Sequence, residues 1–556
     1  MLSSEKHRNH RFFFFLTALA AFSILVRILF LVCADPNRDM VVYQDPVVSL
    51  RVARGTITDR NGRIIAIETP YYGCAFMLRE MTDPEKTALA VASPLGMTPE
   101  EILAKTVGRT NYVLIKRRLS ADEYETLRDI IQKKDLEGVA LEKRYGRTYP
   151  QQFHAAQMIG FTNTDNLGIE GVELAYENEL SPYPALTSDT TFGNDIQLTL
   201  DMDLQYLLDT QAVAIDRQHH GDYVLGIIMG AKTGEILAAT TFPWYDPNLY
   251  GQSSADLRQN RIITYMYEPG SVFKIFSLAA ELAAGQANFS EPFECDGSYT
   301  FTMPGGEKTT IKCVSAHGTV TPSDMISKSC NGAVANWALQ TDNQLFHDFL
   351  ASMGFGTALD IGLKGSITGL FPSIDTWSGR TKATLAFGQE IGVNALQMVT
   401  AATLFANDGC VLKPSIIRSI VDHEGNVLQA PGESQKTQVI PPQIAQDILS
   451  YMVEATEKGG TAIHTAVKGL QVGSKTGTAQ ILDTESNTYT EGTFLASTIT
   501  VVPADNPQYI IYMAVANPKG STIFGSNITA PAIRLIIEDM IRQGKLTTSI
   551  MATLSW

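Results

Sequence analysis

The chain has 556 residues, a formal net charge of −15, and a composition that is 44% hydrophobic and 18% charged. That length is too great for one small hydrophobic core and calls for two or three domains. The acidic balance argues against nucleic acid as the principal ligand, because such a surface repels a polyanion.

The first element is apolar. Residues 12–34 carry a single charge, Arg27. A helix of this length crosses the roughly 30 Å of bilayer hydrocarbon. Lys6, Arg8 and Arg11 precede it, and Asp35 and Asp39 follow. The positive flank therefore stays in the cytoplasm as a short tail, 1–11, and the rest of the chain lies outside the cytoplasmic membrane as a single-pass protein. Arg27 reaches the headgroups by snorkelling. The competing reading is a signal peptide cleaved near Val32-Cys33-Ala34, whose apolar run is ordinarily shorter than this one.

After the anchor, Asn61-Gly62 between Thr56-Ile57-Thr58 and Ile64-Ile65 predicts a β-hairpin. Residues 84–135 have helical spacing, and 141–195 return to turns and short strands. Together 35–195 read as one elongated mixed domain without pocket chemistry. From 196 onward the pattern changes. A helix is predicted at 201–216, then a hairpin of 224–229 and 236–241 around Lys232-Thr233-Gly234. Helices follow at 269–285, 321–340 and 393–408, then a second hairpin of 493–502 and 509–516, and a helix at 528–543. A sheet built from both ends of a domain, with helices inserted between, is an α/β or α+β arrangement, here spanning 196–556.

Six cysteines (Cys33, Cys74, Cys295, Cys313, Cys330 and Cys410) form no CxxC pair, and the nine histidines form no HExxH. No metal is expected on that basis. Cys295 and Cys313 lie 18 apart in a stretch with strand and turn signals, and form either a disulfide across a hairpin or two free thiols.

Three short motifs carry chemistry. Ser271 and Lys274 are three apart near a helix start marked by Pro269, so they share a face. A serine hydroxyl attacks only when a neighbouring base takes its proton. A lysine serves when burial lowers its ammonium pKa, and Val272, Phe273, Ile275 and Phe276 supply apolar surroundings. Ser329-Cys330-Asn331 lies in a helix capped by Thr321 and Pro322; Ser329 and Asn331 converge on one site only if that helix ends or kinks near them. Lys475-Thr476-Gly477-Thr478 follows an apolar stretch. There Lys475 and the threonine hydroxyls can hold a carboxylate, and Gly477 lets a substrate backbone approach. Each motif alone is unspecific, since Ser-x-x-Lys recurs at 3–6 and Lys-Thr-Gly at 232–234. Their order along the chain is that of the serine acyl-enzyme set.

On these motifs the chain resembles the class B penicillin-binding proteins, especially the division and sporulation transpeptidases, over roughly residues 45 to 545. The stretch from Arg54-Gly55 to Asn61-Gly62, Arg147-Thr148-Tyr149-Pro150, and Gly168-Ile169-Glu170-Gly171-Val172-Glu173 are similar to the signatures of the family's non-catalytic pedestal. Tyr267 to Lys274, Gly388-Gln389-Glu390 and Ala504-Asp505-Asn506-Pro507 are similar to its transpeptidase motifs. The chain departs from the pattern at Ser474, Thr498 and Thr500, where Gly, Phe and Gly are usual, and at Gly230-Ala231.

The resemblance implies a transpeptidase domain with a central antiparallel sheet flanked by helices, on a dimerisation-type pedestal. It implies Ser271 as nucleophile, Lys274 as base, Ser329 as proton shuttle and Asn331 as a substrate-orienting group. Lys475, Thr476 and Thr478 would bind the carboxylate, Gly477 would give room, and the N–H groups of Ser271 and Thr478 would form an oxyanion hole. Substrates would be D-Ala-D-Ala stem peptides of peptidoglycan, with β-lactam antibiotics as inhibitors and no cofactor. Partners would be the membrane, a polytopic glycan polymerase, and division or sporulation proteins. The rival readings are a D,D-carboxypeptidase or β-lactamase-type hydrolase, and a non-catalytic β-lactam sensor or division scaffold.

Overall fold

The computed structural model describes residues 21–25, 51–184, 190–432, 434–483 and 488–547. Of the predicted anchor only 21–25 falls among them, a helical stretch with Phe22, Ile24 and Leu25 exposed. The remainder of 12–34, and the tail 1–11, lie outside the described residues. Among the described residues no helix is long and apolar enough to cross a membrane.

The pedestal is organised by one long strand. Ile64–Met77 pairs with Ile57–Thr58 across the predicted Asn61-Gly62 turn, where Gly62 has φ +83°. It then pairs with Val139–Thr148 along most of its length and with Tyr112–Lys116 at its far end. The region read as helical, 84–135, holds three helices, Pro84–Leu95, Pro99–Thr106 and Ala121–Lys134, with the strand Tyr112–Lys116 between them. Asp83, Thr98 and Ser120 each accept a backbone N–H at the start of their helix, which ends the preceding loop sharply. Phe76, Val91, Leu95, Ile102, Val113 and Leu127 close a small core between helices and sheet. The stretch 141–195 holds most of one ten-residue strand, Val139–Thr148, which gains residues 67–76 of the long strand as its partner, and then short helices and the short strand Thr190–Phe192.

The pedestal motifs meet in one buried knot. Glu173 accepts from Arg54 Nε at 2.8 Å and from Arg147 Nε at 2.6 Å, and all three side chains are shielded from water. Arg147 also donates to the Gly55 carbonyl at 2.7 Å. Gly55 must lack a side chain, since a Cβ there would stand 1.9 Å from the Asn194 carbonyl oxygen.

The sheet of the pedestal runs on into the second half of the chain. Asp195–Leu198 pairs with Ile57–Thr58 on one side and with Ile417–Val421 on the other, and Val427–Gln429 completes the edge. Residues far apart in sequence thus share one hydrogen-bonded ladder.

The second part of the chain uses α1 (Met202–His219), β1 (Tyr223–Gly230), β2 (Ile236–Phe242), α2 (Lys274–Ala284), the hairpin β3 (Ser298–Thr302) and β4 (Lys308–Lys312), α3 (Pro322–Lys328), α4 (Asn331–Gln340), β5 (Gly473–Asp483), β6 (Thr488–Val502), β7 (Tyr509–Ala516) and α5 (Gly525–Arg542). Its five-stranded sheet has the order β5-β6-β7-β1-β2, with every neighbour antiparallel. Strand β1 reads as a continuous apolar run because both of its faces are buried. Val224 and Ile228 pack with α1 and α5, while Leu225, Ile227 and Met229 pack on the side of α2. Helix α2 is buried from Lys274 to Glu281, as befits a helix in the middle of a layered domain.

Candidate active site

Ser271 sits in a 3-10 turn, Gly270–Phe273, that leads directly into α2. The predicted helix at 269–285 therefore starts as a tighter turn, and the cause is a clamp from two sides. Gly270 donates to the Gly388 carbonyl at 3.0 Å, and a Cβ on Gly388 would lie 2.2 Å from the Gly270 oxygen. On the other side, a Cβ on Gly270 would lie 2.9 Å from that of Ala479 on β5. Glu268 fastens the clamp by accepting from the Glu390 N–H at 2.8 Å. The segment 388–390 thus positions the turn that bears Ser271.

Lys274 Nζ lies 3.0 Å from Ser271 Oγ and 3.1 Å from Ser329 Oγ, and donates to the Ser329 carbonyl at 2.6 Å. Lys475 Nζ lies 3.0 Å from the same Ser329 Oγ and donates to the Thr476 carbonyl at 2.9 Å. Both lysines are fully buried. Burial lowers the Lys274 ammonium to about 8. Lys475 is pushed well below its ordinary value, first by burial and then by the charge of Lys274. Two amines flanking one hydroxyl can pass a proton through it, and their mutual repulsion favours at least one neutral partner.

The single helix predicted at 321–340 is in fact two. Ser329 ends α3 in the left-handed conformation, φ +60°, and α4 begins at Asn331. Serine gains nothing intrinsically from that conformation; the hydrogen bond from Lys274 to its carbonyl holds it there. The break sends Ser329 Oγ towards the two lysines. Asn331 Nδ2 donates to the Lys312 carbonyl on β4 at 2.9 Å.

A cleft of about 330 Å³ opens here, with Ser271, Lys312, Asn331, Thr384, Gln389 and Thr478 among its walls. Of the predicted substrate-binding group, Thr478 reaches this wall, whereas Thr476 is buried. Gly477 also serves the packing of the fold. Its missing side chain makes room for protein, since a Cβ there would meet Val272 Cγ2 at 2.6 Å and Ser497 Oγ at 3.0 Å. The glycine lets β5 lie against the turn that bears Ser271. Lys475 places its amine against Ser329 and the strand backbone.

The description "penicillin binding protein transpeptidase domain" matches residues 224–538, and the description "penicillin-binding protein dimerisation domain" matches 49–191. The chain belongs to the penicillin-binding protein transpeptidase family. It is 28% identical over 513 residues to the stage V sporulation protein D of Bacillus subtilis, covering 88% of this chain and 78% of that protein. It is also 28% identical over 568 residues to the peptidoglycan D,D-transpeptidase FtsI of Escherichia coli, covering 96% and 92%. Among solved structures it shares the fold of penicillin-binding protein 3 from Mycobacterium tuberculosis, in a complex with aztreonam. That match has a TM-score of 0.71 at 24% identity over 90% of this chain and 98% of the other.

Inside the sheet of this penicillin-binding protein, hydroxyls pair. Ser474 and Thr500 are direct cross-strand partners on β5 and β6, and their buried hydroxyls bond to each other. Thr498 Oγ1 lies 2.7 Å from Thr529 Oγ1 on α5. These buried polar groups are therefore satisfied internally. Sequence reasoning did not foresee these pairs, nor Glu268 as the anchor of 388–390, because no local pattern marks a contact between distant segments. Cys295 and Cys313 are free thiols, their sulfurs 3.8 Å apart.

Proposed function

We propose that this penicillin-binding protein is a membrane-anchored peptidoglycan D,D-transpeptidase working through a serine acyl-enzyme. The observation that carries the reading is Ser329 Oγ within 3.1 Å of both buried lysines while Lys274 also touches Ser271 Oγ. Neutral Lys274 takes the Ser271 proton as Oγ attacks the penultimate D-alanine carbonyl. The N–H groups of Ser271 and Thr478 stabilise the oxyanion. Collapse expels terminal D-alanine, whose nitrogen receives a proton relayed through Ser329. A second stem-peptide amine then attacks the ester, and Ser271 recovers its proton. A β-lactam follows the first half of this path, but its leaving group stays tethered and the adduct persists.

Outside this chemistry, the basic flank and apolar run at 12–34 support a cytoplasmic tail, a single membrane anchor and an external catalytic domain. The resemblance to division and sporulation transpeptidases supports a polytopic glycan polymerase as partner. The decisive experiment labels the full detergent-solubilised chain with a fluorescent penicillin. A stable adduct forms, and Ser271→Ala abolishes it. Continuous turnover of the penicillin would instead identify a hydrolase, and labelling of the variant at the parental level would overturn the nucleophile.

A further inference from the structure

Beside the catalytic groups lies a cluster that takes no part in acyl transfer. Cys295 ends the strand Phe293–Cys295, Cys313 follows β4, His317 precedes the strand Gly318–Val320, and Cys330 is the residue between α3 and α4. Their four ligand atoms lie within 4.8 Å of one another. Cys313 Sγ is 3.8 Å from Cys295 Sγ and 3.8 Å from Cys330 Sγ, and His317 Nδ1 is 3.5 Å from Cys295 Sγ.

Those three spacings match three of the six edges of a metal tetrahedron, and the other three are within 4.8 Å. With zinc–sulfur bonds of about 2.3 Å and zinc–nitrogen bonds of about 2.0–2.1 Å, tetrahedral geometry requires sulfur–sulfur edges of about 3.8 Å and sulfur–nitrogen edges of about 3.5 Å. We propose that Cys295, Cys313, His317 and Cys330 form a structural zinc site that braces the wall of the active-site cleft. Three thiolates and one imidazole complete four-coordination, so no open position remains for substrate or water. The set is too tight for an iron–sulfur cluster, which must fit several atoms between its cysteines. Binding displaces the protons of the three thiols, and His317 stays neutral and coordinates through Nδ1. The Gly332 N–H, 3.4 Å from Cys313 Sγ, supports a thiolate there. A disulfide explains the arrangement less well. Cys313 is equally close to two cysteines, and either bond would leave the third thiol and His317 unpaired.

The ligands come from both sides of the cleft wall. Cys313 follows Lys312, whose carbonyl holds Asn331, and Cys330 lies between Ser329 and Asn331. An ion here ties the β3–β4 hairpin to the break between α3 and α4, and so fixes where Ser329 and Asn331 stand. It positions these groups without touching substrate. The absence of a metal motif in the sequence is therefore revised, because ligands spaced 18, 4 and 13 residues apart match no compact zinc pattern.

The test measures metal content of the full-length chain, purified in detergent under reducing conditions without chelator. One zinc per chain is expected by plasma mass spectrometry, and far less in Cys313→Ser and His317→Ala. His317 is half-buried, so that variant keeps the test open if the cysteine variant fails to fold. Cobalt(II) exchanged into the parental chain is expected to show thiolate charge-transfer bands and the visible bands of a tetrahedral ion. Removing the metal is expected to slow acylation by a fluorescent penicillin up to roughly 10²-fold, the scale of a 1 Å misplacement, with recovery on adding zinc. Ser271→Ala is expected to keep its zinc while losing the label, so the metal site and the nucleophile are judged separately. A chain that takes up no zinc with its thiols reduced, equal zinc in both ligand variants, or a Cys295–Cys313 or Cys313–Cys330 disulfide in the active protein would overturn the proposal.

Discussion

Lys274 offers the sharpest test of the catalytic reading. Its amine is fully buried, stands 3.0 Å from Ser271 Oγ, and titrates at about 8 because burial penalises the ammonium form. A lowered lysine value means the neutral base accumulates as pH rises through it. A group titrating near 8 is neutral in about one molecule in eleven at pH 7 and in about ten of eleven at pH 9, so the rate of acylation rises about tenfold across that window. Lys475, also depressed, shares Ser329 with Lys274, so the midpoint belongs to the pair. Lys274→Ala removes the base and the donor to the Ser329 carbonyl, and lowers the acylation rate by ~10²–10⁴-fold while flattening the pH profile. The assay is the second-order rate of labelling by a fluorescent penicillin from acid to alkaline pH on the full chain. A parental rate that is flat or falling between pH 7 and 9, or a variant within about twofold of the parent, would refute Lys274 as the base.

Glu173→Gln strips the charge that pairs Arg54 and Arg147 in the pedestal, leaving the shielded Arg147 guanidinium uncompensated and Arg54 with Glu177 as its remaining carboxylate. A loss of about 3–5 kcal/mol is expected in urea unfolding, with penicillin labelling per folded molecule unchanged; a loss below about 1 kcal/mol would contradict the buried-knot account. Ser474→Gly and Thr500→Gly each orphan the partner's buried hydroxyl, at about 1–3 kcal/mol apiece. The double variant is expected to cost less than the sum, with a coupling of about 0.5–3 kcal/mol from a double-mutant cycle, and simple additivity would show that the hydroxyls do not interact.

Much of the architecture is written in local patterns. The Asn61-Gly62 hairpin, the β1–β2 hairpin and the β6–β7 pair follow from turn residues between apolar runs, and α1 begins beside the Asp201 cap that its sequence shows. Ser271, Lys274 and the Lys-Thr-Gly strand are legible as types in order. What tertiary structure decided is how those types are used. It broke the helix at Ser329, because a carbonyl held by Lys274 outweighs helical continuity. It packed Gly477 against Val272, and gathered three cysteines and a histidine from three separate segments. The physical reason is range. Periodicity, caps and turns act within a few residues, whereas the burial that lowers the Lys274 amine and the distances that make a proton relay exist only once segments remote in sequence are packed together.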